Sequence, residues 1–454
     1  MSNFNRRTFL KSTLGAAAAA PMAGMAWKPF RGRGGSLELL RVGAVGVGGM
    51  GWSDLNRVSD HAAVEIAALC DVDRNNLNRA RDLFEDARGF SDWRELFSSM
   101  GNEIDAVTVS TPDHMHAPVT MTALMNNKHV YCQKPLTHTI HESRRLVEVA
   151  KRKPLLTTQM GTQNASRKHK RQAQQMLEDG IVGEVKEIHA WSDRPAGWWP
   201  QGKDRPAGND PVPSYLKWDL WIGVAPMRPY VSETYAPFKW RGIRDFGCGA
   251  LGDMACHIAD TPIQAYRLYK PTSVLVEATD ATADMFPSTE RVLIEFAGVD
   301  ASGGKPVTLS WTDGGRKPKP QDLGVAEDVE LLANCCAIVG SKGTMLVDQE
   351  KGFLEMWADG KRVEDTKRPN LEERNHWHQW VDAAFDGDQT QSNFIFAGRM
   401  CETLALGALA SRFPNQKLKY DSKSMTFPDF PEANQWVRTE YRDGWQVKGL
   451  SESS

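Results

Sequence analysis

Between residues 39 and 51 an apolar run, Leu39-Leu40-Arg41-Val42-Gly43-Ala44-Val45, leads straight into Gly46-Val47-Gly48-Gly49-Met50-Gly51. No other feature narrows the folds open to this chain as much. A buried strand that ends in G-x-G-x-x-G and continues as a helix from about Met50 is the first crossover of a parallel sheet. Gly46 permits the tight turn, Gly48 lets the backbone approach a pyrophosphate, and Gly51 lets helix and strand pack closely, while Gly49 and Met50 begin a helix whose N–H groups and dipole favour an anion. Asp71 follows 20 residues after Gly51, at the end of the next strand. A carboxylate there can accept both hydroxyls of an adenosine ribose and repels a 2′-phosphate, so NAD is expected over NADP, with Arg74 close enough to soften the preference.

The alternation continues. Strands are expected over 64–70, 105–110, 129–132 and 155–160, with helices over 74–86, 93–99, 117–127 and 140–151 between them. Such a pattern implies an α/β, doubly wound (Rossmann) parallel sheet covered on both faces, here residues 39–163. From 164 the pattern changes to a helix to 178, a strand over 185–191, a Pro/Gly/Trp-rich loop over 193–237, and alternating segments at 273–278, 291–296, 307–311 and 337–339. Closing helices are expected over 371–385 and 393–411. Residues 164–454 therefore read as an α+β domain on a largely antiparallel sheet, for substrate binding and oligomerisation.

With 41% hydrophobic residues in 454, the chain can bury a sizeable core without disulfides or metals. A net charge of −2 leaves no field to hold nucleic acid. At the start, Arg6-Arg7 precede Phe9-Leu10 and an Ala/Gly-rich stretch to Ala26, which resembles a twin-arginine export signal. The expected product is a periplasmic or otherwise exported protein, carried folded by the twin-arginine machinery, with residues 1–26 removed and an arm over 27–38. This stretch falls short of the roughly 20 apolar residues a membrane span needs, and no later one reaches it, so stable membrane insertion is not expected. The seven cysteines show no C-x-x-C spacing, and His376 and His378 stand at i and i+2, so no metal site is expected.

Candidate chemistry gathers at strand ends. Ser110-Thr111-Pro112-Asp113-His114-Met115-His116 and Gln133-Lys134-Pro135 follow two of the parallel strands, where such sheets bind ligands. Asp253 and His257 stand at i and i+4 of a helix expected from 249 to about 268, which puts them on one face. Six of the 15 tryptophans (Trp191, Trp198, Trp199, Trp218, Trp221, Trp240) fall in the stretch ahead of that helix. Packing accounts for most such residues; Arg241, Arg194 and Asp193 stand among them as polar side chains.

Together these segments resemble the Gfo/Idh/MocA family of glucose–fructose oxidoreductases and inositol dehydrogenases. The resemblance implies an NAD-dependent oxidoreductase acting on a CH–OH group of a sugar, sugar derivative or cyclitol, working as a dimer or tetramer. It implies that Lys134, Asp253 and His257 are catalytic, Lys134 stabilising the developing alkoxide, His257 exchanging its proton and Asp253 positioning or charging the group. Ser110, Thr111, His116, Gln133 and Lys134 join the glycine loop and Asp71 around the cofactor; Trp191 and Arg241 join Lys134, Asp253 and His257 around the substrate. Gln133 stands where the family has Glu before the lysine. Export makes a tightly held cofactor the expectation. Two rivals share the same residues: an NAD-dependent glycosidase using transient oxidation and elimination, and a non-catalytic sugar- or dinucleotide-binding relative.

Overall fold

Residues 39–349 and 351–451 are described in the computed structural model of the chain; the expected signal, 1–26, and arm, 27–38, lie outside the described residues. Strand β1 (Leu40–Val45) enters the glycine turn and helix α1 (Gly49–Ser59) leaves it. There follow β2 (Val64–Cys70), α2 (Arg74–Leu83), β3 (Arg88–Phe90), α3 (Trp93–Met100), β4 (Ala106–Val109), α4 (Asp113–Met125), β5 (His129–Cys132), α5 (Ile140–Arg152) and β6 (Thr158–Met160). All six strands run parallel, in the order β3-β2-β1-β4-β5-β6. The order reverses at β1 and β4, which pair Val45 with Val109, so a crevice opens beyond their carboxyl ends. Strand β1 is buried except at Arg41 and β4 throughout, which is why both read as continuous apolar runs.

Two local differences have simple causes. Strand β3 spans three residues, two of them exposed, and carries no apolar alternation to announce it. Helix α4 starts at Asp113 rather than 117, with Pro112 as N-cap and Pro118 inside the helix. That proline removes one ladder hydrogen bond, and the burial of nearly every side chain of α4 holds the helix across it.

Beyond α6 (Lys168–Glu178), strand β7 (Val185–Trp191) and helix α7 (Trp218–Ile222) precede a π-helical turn, Leu251–Ala255, the short segment Cys256–Ile258 and helix α8 (Asp260–Ala265). The expected continuous helix over 249–268 is thus corrected to a broken one. Strands β8 (Pro271–Glu277), β9 (Arg291–Phe296), β10 (Val307–Thr312), β11 (Cys335–Gly340), β12 (Thr344–Asp348), β13 (Leu354–Ala358) and β14 (Lys361–Arg362) come next. Helices α9 (His376–Asp386) and α10 (Phe394–Ala410) and strand β15 (Leu418–Lys419) close the order. The second sheet runs β14-β13-β12-β11-β7-β10-β9-β8-β15, and only the β7–β10 pair is parallel.

The closing helices return to the first sheet. Trp380, Val381 and Ala384 of α9 are buried in one cluster with Leu40, Val42 and Ala44 of β1, Val58 of α1 and Tyr131 of β5. Helix α10 lies so close along α5 that a Cβ on Gly398 would collide with Val147. All seven cysteines are buried and unpaired. Among the described residues no helix is long and apolar enough to cross a membrane, and no cluster of side chains could hold a metal ion.

Candidate active site

The glycine turn is shaped for a close-lying ligand. Gly46 has φ +81°, and a Cβ there would meet the Ser110 carbonyl oxygen at 2.5 Å. A Cβ on Gly51 would collide with the Gly46 carbonyl, which shows how tightly α1 sits on the turn. Gly48 is the N-cap of α1 and no side chain caps it, so the first-turn amides beside Gly49 and Met50 remain available to an anion. Asp71 closes the other end of the crevice, accepting from the Val47 N–H (2.9 Å) and the Asp73 N–H (2.8 Å). Burial pushes its pKa up to about 6, and those amides pull it back. The uncapped helix and the anchored carboxylate fit a dinucleotide, pyrophosphate on α1 and ribose on Asp71. Asp71→Ala is expected to weaken NAD by more than NADP; equal losses in a titration of both would remove Asp71 from cofactor choice.

The charged centre is assembled from three distant segments. The Lys134 Nζ, at the carboxyl end of β5, donates to Oδ1 (2.6 Å) and to the backbone oxygen (2.9 Å) of Asp253 in the π-helical turn. The Arg241 Nε donates to the same Oδ1 at 2.9 Å. Burial raises the Asp253 pKa, but Lys134 and Arg241 together outweigh it and hold the carboxyl well below its usual range. Asp253 is therefore ionised at neutral pH. Lys134 has three N–H donors; two are committed to Asp253, which leaves the third for a reacting oxygen. His257 is 4% exposed, and burial first, then the Lys134 charge, push its pKa far down, so the ring is neutral. Its Nδ1 is buried without a partner. Its backbone oxygen accepts from the Lys170 Nζ (3.0 Å), itself paired with Asp260 (2.5 Å), and this buried ion pair fixes the segment that carries the imidazole.

Gln133 has a clear place. Its Nε2 donates to both oxygens of buried Asp54 on α1 (3.1 and 2.9 Å), and its Oε1 accepts from the Lys134 N–H at 3.2 Å. Asp54 also accepts from the Ser110 Oγ (2.8 Å) and from the Trp377 Nε1 of α9 (2.9 Å). The carboxylate absent from position 133 is thus present across the interface at Asp54, and the amide is its complement. Burial raises the Asp54 pKa to about 6, against the three donors that lower it. His116 braces the two strand-end loops, with its ring nitrogens 2.6 Å from the Pro135 oxygen and 2.8 Å from the Thr111 oxygen. It shapes the cofactor crevice through those loops. Thr111 keeps a buried Oγ1 without a partner.

Trp191 belongs elsewhere. Its ring is fully buried in a cluster with Leu323, Cys335, Leu346 and Trp357, and its Nε1 donates to the Leu332 oxygen at 2.7 Å. No face of it is open to a sugar, so it is removed from the substrate set. The sequence reading missed Asp54, Lys170 and Asp260, whose partners across the fold lie 56 or more residues away. Asp113, which the sequence places in the 110–116 segment without a role, is buried at the start of α4 and accepts from the Cys248 N–H at 3.1 Å. Burial pushes the Asp113 pKa up to about 7, despite Arg241 and Lys134. The folded value lies above the ordinary 3.8, so the stability contributed by the protonated form is complete below about pH 4 and lost as pH rises through 7. Asp113→Asn is expected to gain on wild type by about 3–4 kcal/mol over that range, read from paired melting curves; a constant difference would refute it. A cavity of about 950 Å³, lined by Arg244, Arg412 and Trp436 among others, contains none of Lys134, Asp253 or His257.

Comparison with known proteins identifies the family. Residues 40–162 match the family model "Oxidoreductase family, NAD-binding Rossmann fold", and residues 171–301 match "Oxidoreductase family, C-terminal alpha/beta domain". Together these cover more than half of the chain, which belongs to the Gfo/Idh/MocA oxidoreductase family. Similar curated proteins include a glycosyl hydrolase family 109 protein of Shewanella sp. (strain MR-4), 30% identical over 210 residues, 41% of this chain and 45% of that protein. The inositol 2-dehydrogenase of Salmonella typhimurium is 27% identical over 152 residues, 33% of this chain and 45% of that protein. The chain thus spans less than half the length of the curated relatives it matches. Among solved structures, levoglucosan dehydrogenase in complex with NADH superposes with a TM-score of 0.58 at 17% identity, covering 84% of this chain and 99% of that one. The aldose–aldose oxidoreductase of Caulobacter crescentus gives 0.57 at 15% identity, covering 84% and 100%.

Proposed function

We propose that this protein is an exported NAD-dependent oxidoreductase acting on a CH–OH group of a sugar, sugar derivative or cyclitol. The observation that carries the reading is the largely buried Lys134–Asp253 ion pair just past the carboxyl end of β5, with a neutral, buried His257 whose ring feels both of those charges. When bound, NAD would be held by the glycine turn and Asp71 and would supply the hydride acceptor. The chain's own residues handle the proton and the charge. The spare Lys134 N–H donates to the reacting oxygen and stabilises it as negative charge develops. His257 takes the hydroxyl proton as the C–H bond is broken. Asp253 stays ionised and holds Lys134 and Arg241 at the carbinol, while Gln133 and Asp54 fix the backbone on which Lys134 stands.

Export rests on Arg6-Arg7 and the Ala-rich stretch behind them. Outside the cytoplasm free NAD is scarce, so the cofactor is retained and reoxidised in place. The working unit is a homo-oligomer, a dimer or tetramer. The deciding experiment recovers the protein from its native compartment, denatures it to identify any released dinucleotide, and screens sugars and inositols for reduction of the bound cofactor. Protein that arrives empty refutes retention. Cofactor that no sugar reduces leaves a binding-only relative. The similarity to glycosyl hydrolase family 109 proteins favours one second reading, in which transient oxidation drives elimination of a glycosidic oxygen. Cleavage of a chromogenic glycoside without net NADH would select it.

A further inference from the structure

The five buried tryptophans of the Trp-rich stretch pack against protein. Trp198 does not: it is 51% exposed, and its neighbour Phe238, 42% exposed, meets it edge-to-face at 6.5 Å. The two rings continue directly from the charged centre. The Arg241 guanidinium, bonded to Asp253, lies 5.0 Å from the centre of the Phe238 ring and 4.4 Å from that of buried Trp240. At the outer end the Arg194 guanidinium stacks on Trp198 at 3.8 Å and pairs with Asp193 at 2.6 Å. A line of contacts therefore runs Lys134, Asp253, Arg241, Phe238, Trp198, Arg194, from the reacting centre to the surface.

Exposed aromatic rings continuous with a catalytic crevice mark a ligand surface. Their chemistry selects the occupant. The face of a pyranose is a patch of C–H groups that lies flat on an aromatic ring, and its rim is hydroxyls. Here the rings are flanked by a guanidinium at each end and by the half-exposed Asp193 carboxylate, donors and acceptor for such a rim. A purely apolar partner would offer no acceptor to the buried, unpartnered Arg241 Nη1 and would desolvate the Arg194–Asp193 pair.

We propose that Trp198 and Phe238 form a second carbohydrate subsite, which holds the ring adjoining the one oxidised at Lys134 and His257, so that the preferred substrates are disaccharides or glycosides rather than free monosaccharides. This rests on the sugar reading above and extends it outward from the reacting carbon.

The test uses the full-length, NAD-loaded protein with cellobiose, maltose, lactose and trehalose against glucose and galactose. At least one disaccharide is expected to have a higher kcat/KM than its component sugars. Trp198→Ala and Phe238→Ala should each raise the KM for it about tenfold, the scale of one aromatic contact, with monosaccharide kinetics unchanged. Trp198→Tyr should recover most of the loss. Calorimetric titration of the same sugars gives a readout independent of turnover, and there the disaccharide affinity should fall in both alanine variants. Equal effects on monosaccharide and disaccharide, or none, overturn the subsite while leaving the oxidoreductase reading intact. A shift of mass in light scattering with unchanged sugar binding also overturns it, because the patch is then a subunit interface. If no sugar reduces the cofactor, the oxidoreductase reading fails, and the titration still decides the subsite.

Discussion

Replacing His257 by alanine is expected to lower turnover by about 10²–10⁴ while the dinucleotide stays bound, the usual cost of removing a positioned acid–base group. The imidazole is neutral at rest because burial and the Lys134 charge both oppose the imidazolium, while the Asp253 carboxylate pulls the other way and favours the ring once it takes a proton. Its segment lies apart from the glycine turn and Asp71, so the cofactor's anchors survive its removal. Lys134→Ala should cost a similar factor. It also leaves the buried Asp253 carboxylate with Arg241 as its remaining cation, so a fall in melting temperature is expected as well. Lys134→Arg separates the two effects: charge and stability return, but the fork of the guanidinium does not reproduce the ammonium's third N–H, and turnover stays low. The measurements are single-turnover rate, melting temperature and dinucleotide per protein chain. Near-normal rates would take the residue out of the mechanism, and an empty variant would make it a cofactor ligand.

The second large effect is expected at the Asp54–Gln133 pair. Gln133→Glu puts two carboxylates where one amide donor now satisfies both oxygens of Asp54, at 3.1 and 2.9 Å. Burial already strains Asp54 toward its neutral form. A second charge there should cost about 3–5 kcal/mol, the range for an uncompensated buried charge, and should shift the backbone that carries Lys134. Asp54→Asn alone is also harmful, since it turns one of the oxygens that accept from Gln133, Ser110 and Trp377 into a donor. The exchange of both, Asp54→Asn with Gln133→Glu, restores one donor against one carboxylate and should be more stable and more active than either single change. A double variant as poor as the sum of the singles would show that the carboxylate–amide complement is not what holds this corner.

Much of this was readable in the order of residues, for identifiable reasons. Strands β2, β5, β7 and β9 fall at their expected bounds because their apolar runs end abruptly at turn residues. The glycine turn and Asp71 were legible because their chemistry is local; the roles of Lys134 and Asp253 came from the family resemblance. What could not be read were the pairings. Nothing near Asp54 announces that its partners are Ser110, Gln133 and Trp377, and nothing near Lys170 points to Asp260. Trp191 misled because its position at a strand end suits a sugar platform, whereas the face it lies on is decided by the chain from 323 to 357 that folds over it. The π-helical turn at Leu251–Ala255 was invisible because its residues would suit an ordinary helix equally well.

The return of α9 to the first sheet has a consequence for how the chain comes into being. Trp380, Val381 and Ala384 sit in the same cluster as the first strand, and Trp377 donates to Asp54 beneath the glycine turn. A ribosome that has released residues 39–163 has therefore emitted a cofactor sheet with an open flank, its Tyr131 and Val58 still wet, and more than 200 further residues must emerge before the flank is sealed. Loading of the dinucleotide belongs to the finished polypeptide, and an amino-terminal fragment cut at the end of the parallel sheet makes a poor substitute for it. Under the export proposed above, the closing helices would then report that the first motif is ready to travel.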